Sequence, residues 1–247
     1  MDPIAASEIV KTLSLLGAAI AIGFGGIGAG IGVGMAGGFA VEGMGRQQKV
    51  KSELFRTMLI GQAAASTPPT FALVVSILLL FTNVEGAPLV QGFAALGAGI
   101  SIGAAALASG VGSSFPVALA CQAIARQPRM RRPYMTLMLL GQAVSQTPVI
   151  FALMISFMLI FLPGKADAGM VEFVTVLSAG ICMGFGAIGA SIGSGFAAES
   201  AIIGVRHHRE PENATGVITR TMLLGLAVAQ SPCVFALVVS FILILTG

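Results

Sequence analysis

The sequence predicts an all-α membrane protein in which six transmembrane helices form three tandem helical hairpins. Charged residues make up only 9% of the 247 residues and hydrophobic residues 56%, with a mean hydropathy of +0.96. Soluble domains carry about 25% charged residues, so lipid is the expected solvent. A membrane-spanning helix needs about 20 apolar residues. Strands that are not closed into a barrel cannot pair their backbone groups in lipid, so the spans are predicted to be helices.

A threefold internal repeat divides the chain. Residues 61–81 read GQAAASTPPTFALVVSILLLF, residues 141–161 read GQAVSQTPVIFALMISFMLIF, and residues 225–245 read GLAVAQSPCVFALVVSFILIL. Self-similarity at a fixed period indicates one structural unit used several times. The repeat predicts three units, with boundaries at 1–84, 85–165 and 166–247. The six spans are predicted at about 9–44, 54–82, 89–125, 134–162, 169–204 and 216–246.

Glycine and proline occur at different places within each hairpin. The 33 glycines are concentrated in segments 17–38, 92–112 and 180–204, which form the first helix of each unit. In membranes small residues let helix backbones approach closely, so these helices are predicted to pack against one another. Each second helix carries a proline near its middle, which should bend the helix or remove one backbone hydrogen bond. These prolines are Pro68, Pro148 and Pro232.

The loops indicate how the chain is oriented in the membrane. The loops that connect the two helices of each hairpin are basic, whereas those that connect successive hairpins carry little positive charge. By the positive-inside rule the basic loops face the cytoplasm and both termini lie on the opposite side. The expected location is an inner membrane of the bacterial type.

The loop sequence and the start of the second helix together resemble a known family. Residues 125–128 read ARQP, Arg46 and Gln47 keep part of the same loop, and GQA lies in the second helix of the first two units. In this combination the chain resembles the proteolipid, or c-type, subunits of F-type ATP synthases, as a fused triple hairpin.

The resemblance implies a rotor. Several chains would close into a c-ring, which is homo-oligomeric or mixed with other c-type subunits, in contact with a stator a-type subunit and central-stalk subunits. It implies no cofactor and no enzymatic activity in this chain, and a transported ion that is either H⁺ or Na⁺. The loop residues that would face the stalk are Arg46, Gln47, Arg126, Gln127, Arg206 and Arg209.

The ion-carrying position of the family holds no carboxylate in this chain. The family places a Glu or Asp 20 residues after the loop arginine and, in sodium-type rings, five residues after the glycine of GQA. Both counts lead to Ser66 and Gln146 in the first two hairpins, and the second count leads to Gln230 in the third. None of these side chains ionises. A ring built from such hairpins alone is therefore not expected to take up protons.

A neutral polar site is one interpretation of the residues around these positions, and hydrogen bonding between helices is the other. Hydroxyl and amide oxygens are ligands for sodium, but without a negative charge they would bind it weakly in a low dielectric. Hydrogen bonds between membrane helices contribute about 0.6 kcal/mol each. The candidate residues besides Ser66, Gln146 and Gln230 are Gln62, Thr67, Gln142, Ser145, Thr147 and Ser231.

Glu199 is the candidate alternative carboxylate, because it lies within the first helix of the third hairpin. Counted from the loop, it is expected about 10 Å nearer the cytoplasm than Gln230. A structural or interfacial role is the competing interpretation. Glu42 is interpreted as a helix-end residue. The other eight acids lie at chain ends or in loops: Asp2, Glu8, Glu53, Glu85, Asp167, Glu172, Glu210 and Glu212.

Three functions stay open on the sequence. The first is a rotor proteolipid within the ion-translocating sector of a rotary ATP synthase or ATPase. The second is a structural ring that no longer translocates ions, and the third is a channel or transporter with a neutral polar site. No catalytic or metal-binding constellation is expected, since the chain has no P-loop and His207 and His208 are adjacent.

Overall fold

A computed structural model describes residues 3–82, 87–161, 169–208 and 211–246. The predicted hairpin boundaries at 84/85 and 165/166 lie outside these residues. Two short 3₁₀ turns, Gln48–Val50 and Pro128–Met130, occupy the basic loops of the first two hairpins. The helices are α1 Pro3–Arg46, α2 Lys51–Ala65, α3 Thr67–Phe81, α4 Leu89–Gly112, α5 Ser114–Arg126, α6 Arg131–Ser145, α7 Thr147–Ile160, α8 Met170–His207 and α9 Pro211–Thr246.

These elements give six helical segments that are long and apolar enough to cross a membrane, as the sequence predicted. The segments are Ala6–Arg46, Gln48–Phe81, Leu89–Arg126, Pro128–Ile160, Met170–His207 and Thr215–Thr246. Many large apolar side chains of these segments are exposed, among them Phe81, Leu224 and Leu245 at 84%, 70% and 77%. Such a surface suits lipid rather than water.

Prolines explain where three of the spans are interrupted. The second helices of the first two hairpins are interrupted at Ser66 and Gln146, two residues before Pro68 and Pro148. The first helix of the second hairpin is interrupted at Ser113, three residues before Pro116, a break that the repeat pattern does not predict. In contrast, α9 contains Pro232 without an interruption, so the three repeat prolines do not act alike.

The glycine-rich helices α1, α4 and α8 pack side by side in one layer, and the second helices cover one face of it. A side chain at Gly99 would collide with the backbone of Gly17, and one at Gly180 would collide with that of Gly97. The middle helix α4 is therefore enclosed by its neighbours, and most of its side chains are buried. Glycine permits this close approach at these positions.

Within each hairpin a buried serine ties the second helix to the first. The serines are spaced like the repeat itself, 80 and 84 residues apart. Each hydroxyl donates to a backbone carbonyl at 2.9 Å, and the pairs are Ser76 to Ala18, Ser156 to Ala98 and Ser240 to Ala179. The hydrogen bond recurs at the same depth in every hairpin and fixes how its two helices face each other.

Candidate functional site

The repeat prolines each free a backbone carbonyl near the middle of the second helix. Proline has no N–H, so the carbonyl four residues before it loses its normal helical donor. For Pro68 this carbonyl belongs to Ala64, for Pro148 to Val144, and for the third repeat proline to Val228. We call these three groups the freed carbonyls. In lipid such a group needs another donor.

Two of the freed carbonyls accept a hydrogen bond from a glutamine of the following hairpin. Gln146 Nε2 donates to the Ala64 carbonyl at 2.8 Å, and Gln230 Nε2 donates to the Val144 carbonyl at 3.0 Å. Gln230 Nε2 also donates to Ser194 Oγ of its own hairpin at 2.7 Å. Gln146 and Gln230, the positions predicted to correspond to the family carboxylate, thus bridge successive hairpins.

The third such position, Ser66, forms a different contact. Its side chain is exposed, and its hydroxyl donates to the carbonyl of Gln62 in the same helix at 2.8 Å. Among the described residues no other hairpin precedes the first one, so Ser66 lies at an open edge of the bundle. It therefore does not bridge two hairpins there.

The glutamine of GQA also bonds differently in the first two hairpins. Gln142 is fully buried and donates to the carbonyl of Gly61 in the preceding hairpin at 2.9 Å. Gln62 instead donates to the carbonyl of Val33 in its own hairpin at 3.1 Å. Leu226 occupies the corresponding place in the third hairpin and is equally buried. The motif is the same, but the neighbouring hairpin decides its partner.

The remaining candidate residues do not gather into one polar cluster. Ser145 is buried and donates to Gly141 of its own helix at 2.7 Å, and Thr147 donates to Ala143 at 3.4 Å. Thr67 and Ser231 are half-buried. The hydroxyl groups mostly pair with carbonyls of their own helix, and the amides make the contacts between hairpins.

The mid-helix amides supply donors and no ionisable group. The Nε2 atoms of Gln142, Gln146 and Gln230 face carbonyl or hydroxyl oxygens. The Oε1 atoms of Gln142 and Gln230 are buried and have no hydrogen-bond partner. An amide cannot release a proton under these conditions, so each contact keeps one chemical state.

Glu199 lies apart from these amides. It is half-buried in α8, five residues nearer the basic loop than Ser194, which contacts Gln230. Five helical residues correspond to about 7.5 Å along the axis. The structure thus does not bring Glu199 together with the mid-helix amides. Among the described residues there is no group of three or more His, Cys, Asp or Glu side chains that could hold a metal ion.

The loop residues form a second polar region at the end of the bundle. Gln127 donates to the carbonyl of Arg206 in the next hairpin at 3.1 Å and accepts a hydrogen bond from the Tyr134 hydroxyl at 2.5 Å. Arg46 pairs with Glu42 of its own helix at 2.5 Å.

Other residues of this end differ in their exposure and partners. Arg126 is exposed and Gln47 half-buried. Glu53 and Arg131 form an ion pair between the first two hairpins. Arg209, which the sequence also assigned to this region, lies outside the described residues.

The sequence did not predict which groups accept the hydrogen bonds of the amides. Gln146 and Gln230 were among the candidate residues, but the backbone carbonyls of Ala64 and Val144 were not. The signal was available, since a proline identifies the freed carbonyl four residues before it. Which hairpin supplies the donor depends on the order of the hairpins in space.

Comparison with known proteins agrees with this architecture. The family of ATP synthase C subunits matches three times, at residues 16–79, 89–159 and 177–243. These matches cover most of the chain, one in each hairpin, and the chain belongs to this family.

Relatives named as the c subunits of ATP synthases match about one hairpin at a time. The protein of Alkaliphilus oremlandii is 41% identical over 83 residues, which are 34% of this chain and 93% of the relative. That of Natranaerobius thermophilus is 45% identical over 76 residues, or 31% of this chain and 87% of the relative. The ATP synthase c 2 protein of Cereibacter sphaeroides is 41% identical over 76 residues, or 31% and 92%.

Family membership defines the general role of the chain. It is a non-catalytic membrane proteolipid, and catalysis belongs to other subunits. Members of the family form a ring with other c-type subunits and work with the a-type and stalk subunits of ATP synthase. The six spans are those of an integral membrane protein.

Proposed function

We propose that the chain is a rotor-ring subunit of a rotary ATP synthase or ATPase whose three hairpins carry no ion of their own. One observation supports this most directly. Gln230 Nε2 donates to two oxygen atoms, the Val144 carbonyl and Ser194 Oγ, from the position where the family has its carboxylate. Ser66 and Gln146 hold the corresponding positions in the other hairpins.

The chemistry of the amide explains why Gln146 and Gln230 would not load or release an ion. A protonated carboxylic acid in place of Gln230 would donate its one proton to one of these two oxygens. When ionised, it would direct negative charge at oxygen atoms in a low dielectric, which is unfavourable. An acid therefore has two states with very different energies, whereas the amide has only the donating one. The amide resembles an acid that never releases its proton.

The proposal places ion transport elsewhere in the complex. The ring would contain carboxylate-bearing c-type subunits in addition to this chain, and H⁺ or Na⁺ would move on those subunits past an a-type stator subunit. The basic loops would face the cytoplasm and the central stalk, as expected from the positive-inside rule. This chain would pass through the stator interface without loading or releasing an ion.

A structural ring that does not translocate ions is the second candidate. The absence of a carboxylate at the predicted position in all three hairpins favours the structural ring, because these positions carry no side chain that can gain and lose a proton. Purification of the assembly from its native membrane separates the two. A catalytic head and a stator subunit in the purified complex support the rotor, and a ring without either supports the structural assembly.

Labelling with dicyclohexylcarbodiimide tests whether the second helices lack a carboxyl group that can be protonated. The reagent modifies buried protonated carboxyl groups, so we expect no modification on any second helix of the wild-type chain. Gln230→Glu should become modified, because its protonated acid can donate to one of the two acceptors that the amide uses. Gln230→Leu is the matched control and should stay unmodified.

A measurement of proton uptake by liposomes can contradict the proposal. Liposomes that contain only this assembly should take up no protons. Proton uptake that disappears in the Gln146→Leu and Gln230→Leu double variant would overturn the proposal in favour of a neutral site. Modification of Glu199 in the wild-type chain would instead make that residue an ion carrier.

A further inference from the structure

The third freed carbonyl has no following hairpin among the described residues to supply its donor. Pro232 removes the N–H that would pair the Val228 carbonyl, as the other repeat prolines do for Ala64 and Val144. Those two carbonyls are paired by the following hairpin. Val228 lies on the third hairpin, and its side chain is 72% exposed. Because the Val228 carbonyl occupies the same place in the repeat as the Ala64 and Val144 carbonyls, we expect it at the edge where a further hairpin would pack.

The first hairpin of a second copy fits this edge. Gly103 and Gly110 of the second hairpin pack against the backbone of the first, where added Cβ atoms would meet Ile20 O at 2.8 Å and the Gly28 carbonyl carbon at 2.6 Å. The residues 80 positions earlier, Gly23 and Gly30, have open space at the same place. The leading face of the chain thus repeats a surface that already packs against a preceding hairpin.

This junction between copies lacks the amide of the internal junctions. The arriving hairpin carries Ser66 where the second and third hairpins carry Gln146 and Gln230. A serine oxygen lies about 2.5 Å closer to its own backbone than a glutamine nitrogen does. The Ser66 hydroxyl moreover donates to Gln62 within its helix. A second copy therefore brings no direct donor to the Val228 carbonyl.

We propose that each junction between copies holds one water molecule that donates to the Val228 carbonyl of one copy and to Ser66 Oγ of the next. The proposal rests on the ring of the proposed function. The Ser66 hydroxyl donates its proton to the Gln62 carbonyl, and the lone pairs of Ser66 Oγ can still accept a hydrogen bond from the water. The shorter serine leaves room for a molecule of about 30 Å³, and water bridges buried polar groups of this kind.

The choice of water over a cation follows from charge. Carbonyl and hydroxyl oxygens would also coordinate Na⁺, but the residues named at this junction contribute no negative charge. An unpaired cation is far costlier to bury than a neutral donor. The junction between copies is therefore a hydrated contact, whereas the internal junctions are closed by direct amide hydrogen bonds.

Two variants of the purified ring test the site. Ser66→Gln should place an amide on the Val228 carbonyl and displace the water. It should raise by several degrees the temperature at which the ring releases its 25.0 kDa chains. Ser66→Leu fills the same space without a donor and should lower that temperature. Gln142→Leu is the control, because its hydrogen bond to Gly61 lies within one chain and its loss should leave dissociation into chains unchanged.

A high-resolution structure of the ring supplies the direct readout. We expect density about 2.8 Å from both oxygens in the wild type and none in Ser66→Gln. Equal stabilisation by Ser66→Gln and Ser66→Leu, a dry wild-type junction, or Na⁺-dependent stability of the wild-type ring would overturn the water site. So would a different c-type hairpin against Val228 in every ring. None of these outcomes bears on carbodiimide labelling, which tests the proposed function separately.

Discussion

Gln142 lies in α6, and Gln146 follows directly after the end of this helix, one helical turn away. Substitution by leucine should change the free energy of unfolding differently at these two positions. Gln146→Leu removes the donor to the Ala64 carbonyl, and Gln142→Leu removes the donor to the Gly61 carbonyl. Leucine has a similar volume to glutamine, so packing changes little in either case. The difference lies in what each substitution leaves unpaired.

For Gln146→Leu the loss has two parts. The hydrogen bond between helices contributes about 0.6 kcal/mol. The Ala64 carbonyl has already lost its normal helical donor to Pro68, and an unpaired polar group of this kind costs about 1–3 kcal/mol. We therefore expect the free energy of unfolding to fall by about 2 kcal/mol.

For Gln142→Leu the balance reverses. The same hydrogen bond of about 0.6 kcal/mol is lost, but Gly61 lies inside α2 and keeps the helical N–H of Ala65. The substitution also removes the buried Oε1 of Gln142, which has no partner and costs about 1–3 kcal/mol. We expect a neutral or slightly stabilising effect. The third hairpin supports this expectation, since it carries Leu226 at the corresponding place.

Thiol reactivity measures both effects. Cys121 is fully buried, so its modification during an SDS titration in mixed micelles reports unfolding of the chain. The two variants should differ by about 2 kcal/mol or more in the free energy of unfolding. Equal destabilisation, or a larger loss for Gln142→Leu, would refute the assignment of the freed carbonyls.

Two further predictions use the same repeat. Ser156→Ala removes the donor to the Ala98 carbonyl at 2.9 Å. It should lower the free energy of unfolding by about 0.6 kcal/mol in the same titration. An unchanged free energy would contradict the role of this serine in joining the two helices. Gly99→Ala inserts a methyl group into the backbone of Gly17 and should disrupt the chain itself. Gly30→Ala, on the open edge, should leave the chain folded but reduce the fraction of ring on native gels, and an intact ring would place the interface between copies elsewhere.

The fold follows closely from the sequence because its signals are local and repeated. Low charge and long apolar runs require helices in lipid, and the threefold motif defines three equivalent hairpins. The helix interruptions are less predictable. Pro68 and Pro148 interrupt their helices but Pro232 does not, and Pro116 coincides with an interruption that the glycine pattern concealed. A proline removes one hydrogen bond, and the surrounding helices decide whether the helix continues.

The candidate site shows the limit of local sequence more clearly. Gln62 and Gln142 stand in the same GQA motif, yet one bonds within its own hairpin and the other to the preceding hairpin. The difference comes from position in the bundle, since only the second of these hairpins packs against a predecessor among the described residues. Counting residues selected Gln146 as a candidate, but its acceptor belongs to another hairpin and becomes visible only when the helices are placed in space.

The freed carbonyl also constrains which side chains suit the position opposite it. A carbonyl at this depth needs a donor, so a protonated acid, an amide or a water molecule stabilises it and an ionised carboxylate does not. An acid at this place is therefore held in its neutral form by the same carbonyl and must lose that contact when it ionises. The replacement of an acid by glutamine keeps the hydrogen bond and the packing between hairpins while removing the ionised state. Packing between hairpins and ion carriage are thus separable at this position, and Gln146 and Gln230 keep the hydrogen bonds needed for the first without the group needed for the second.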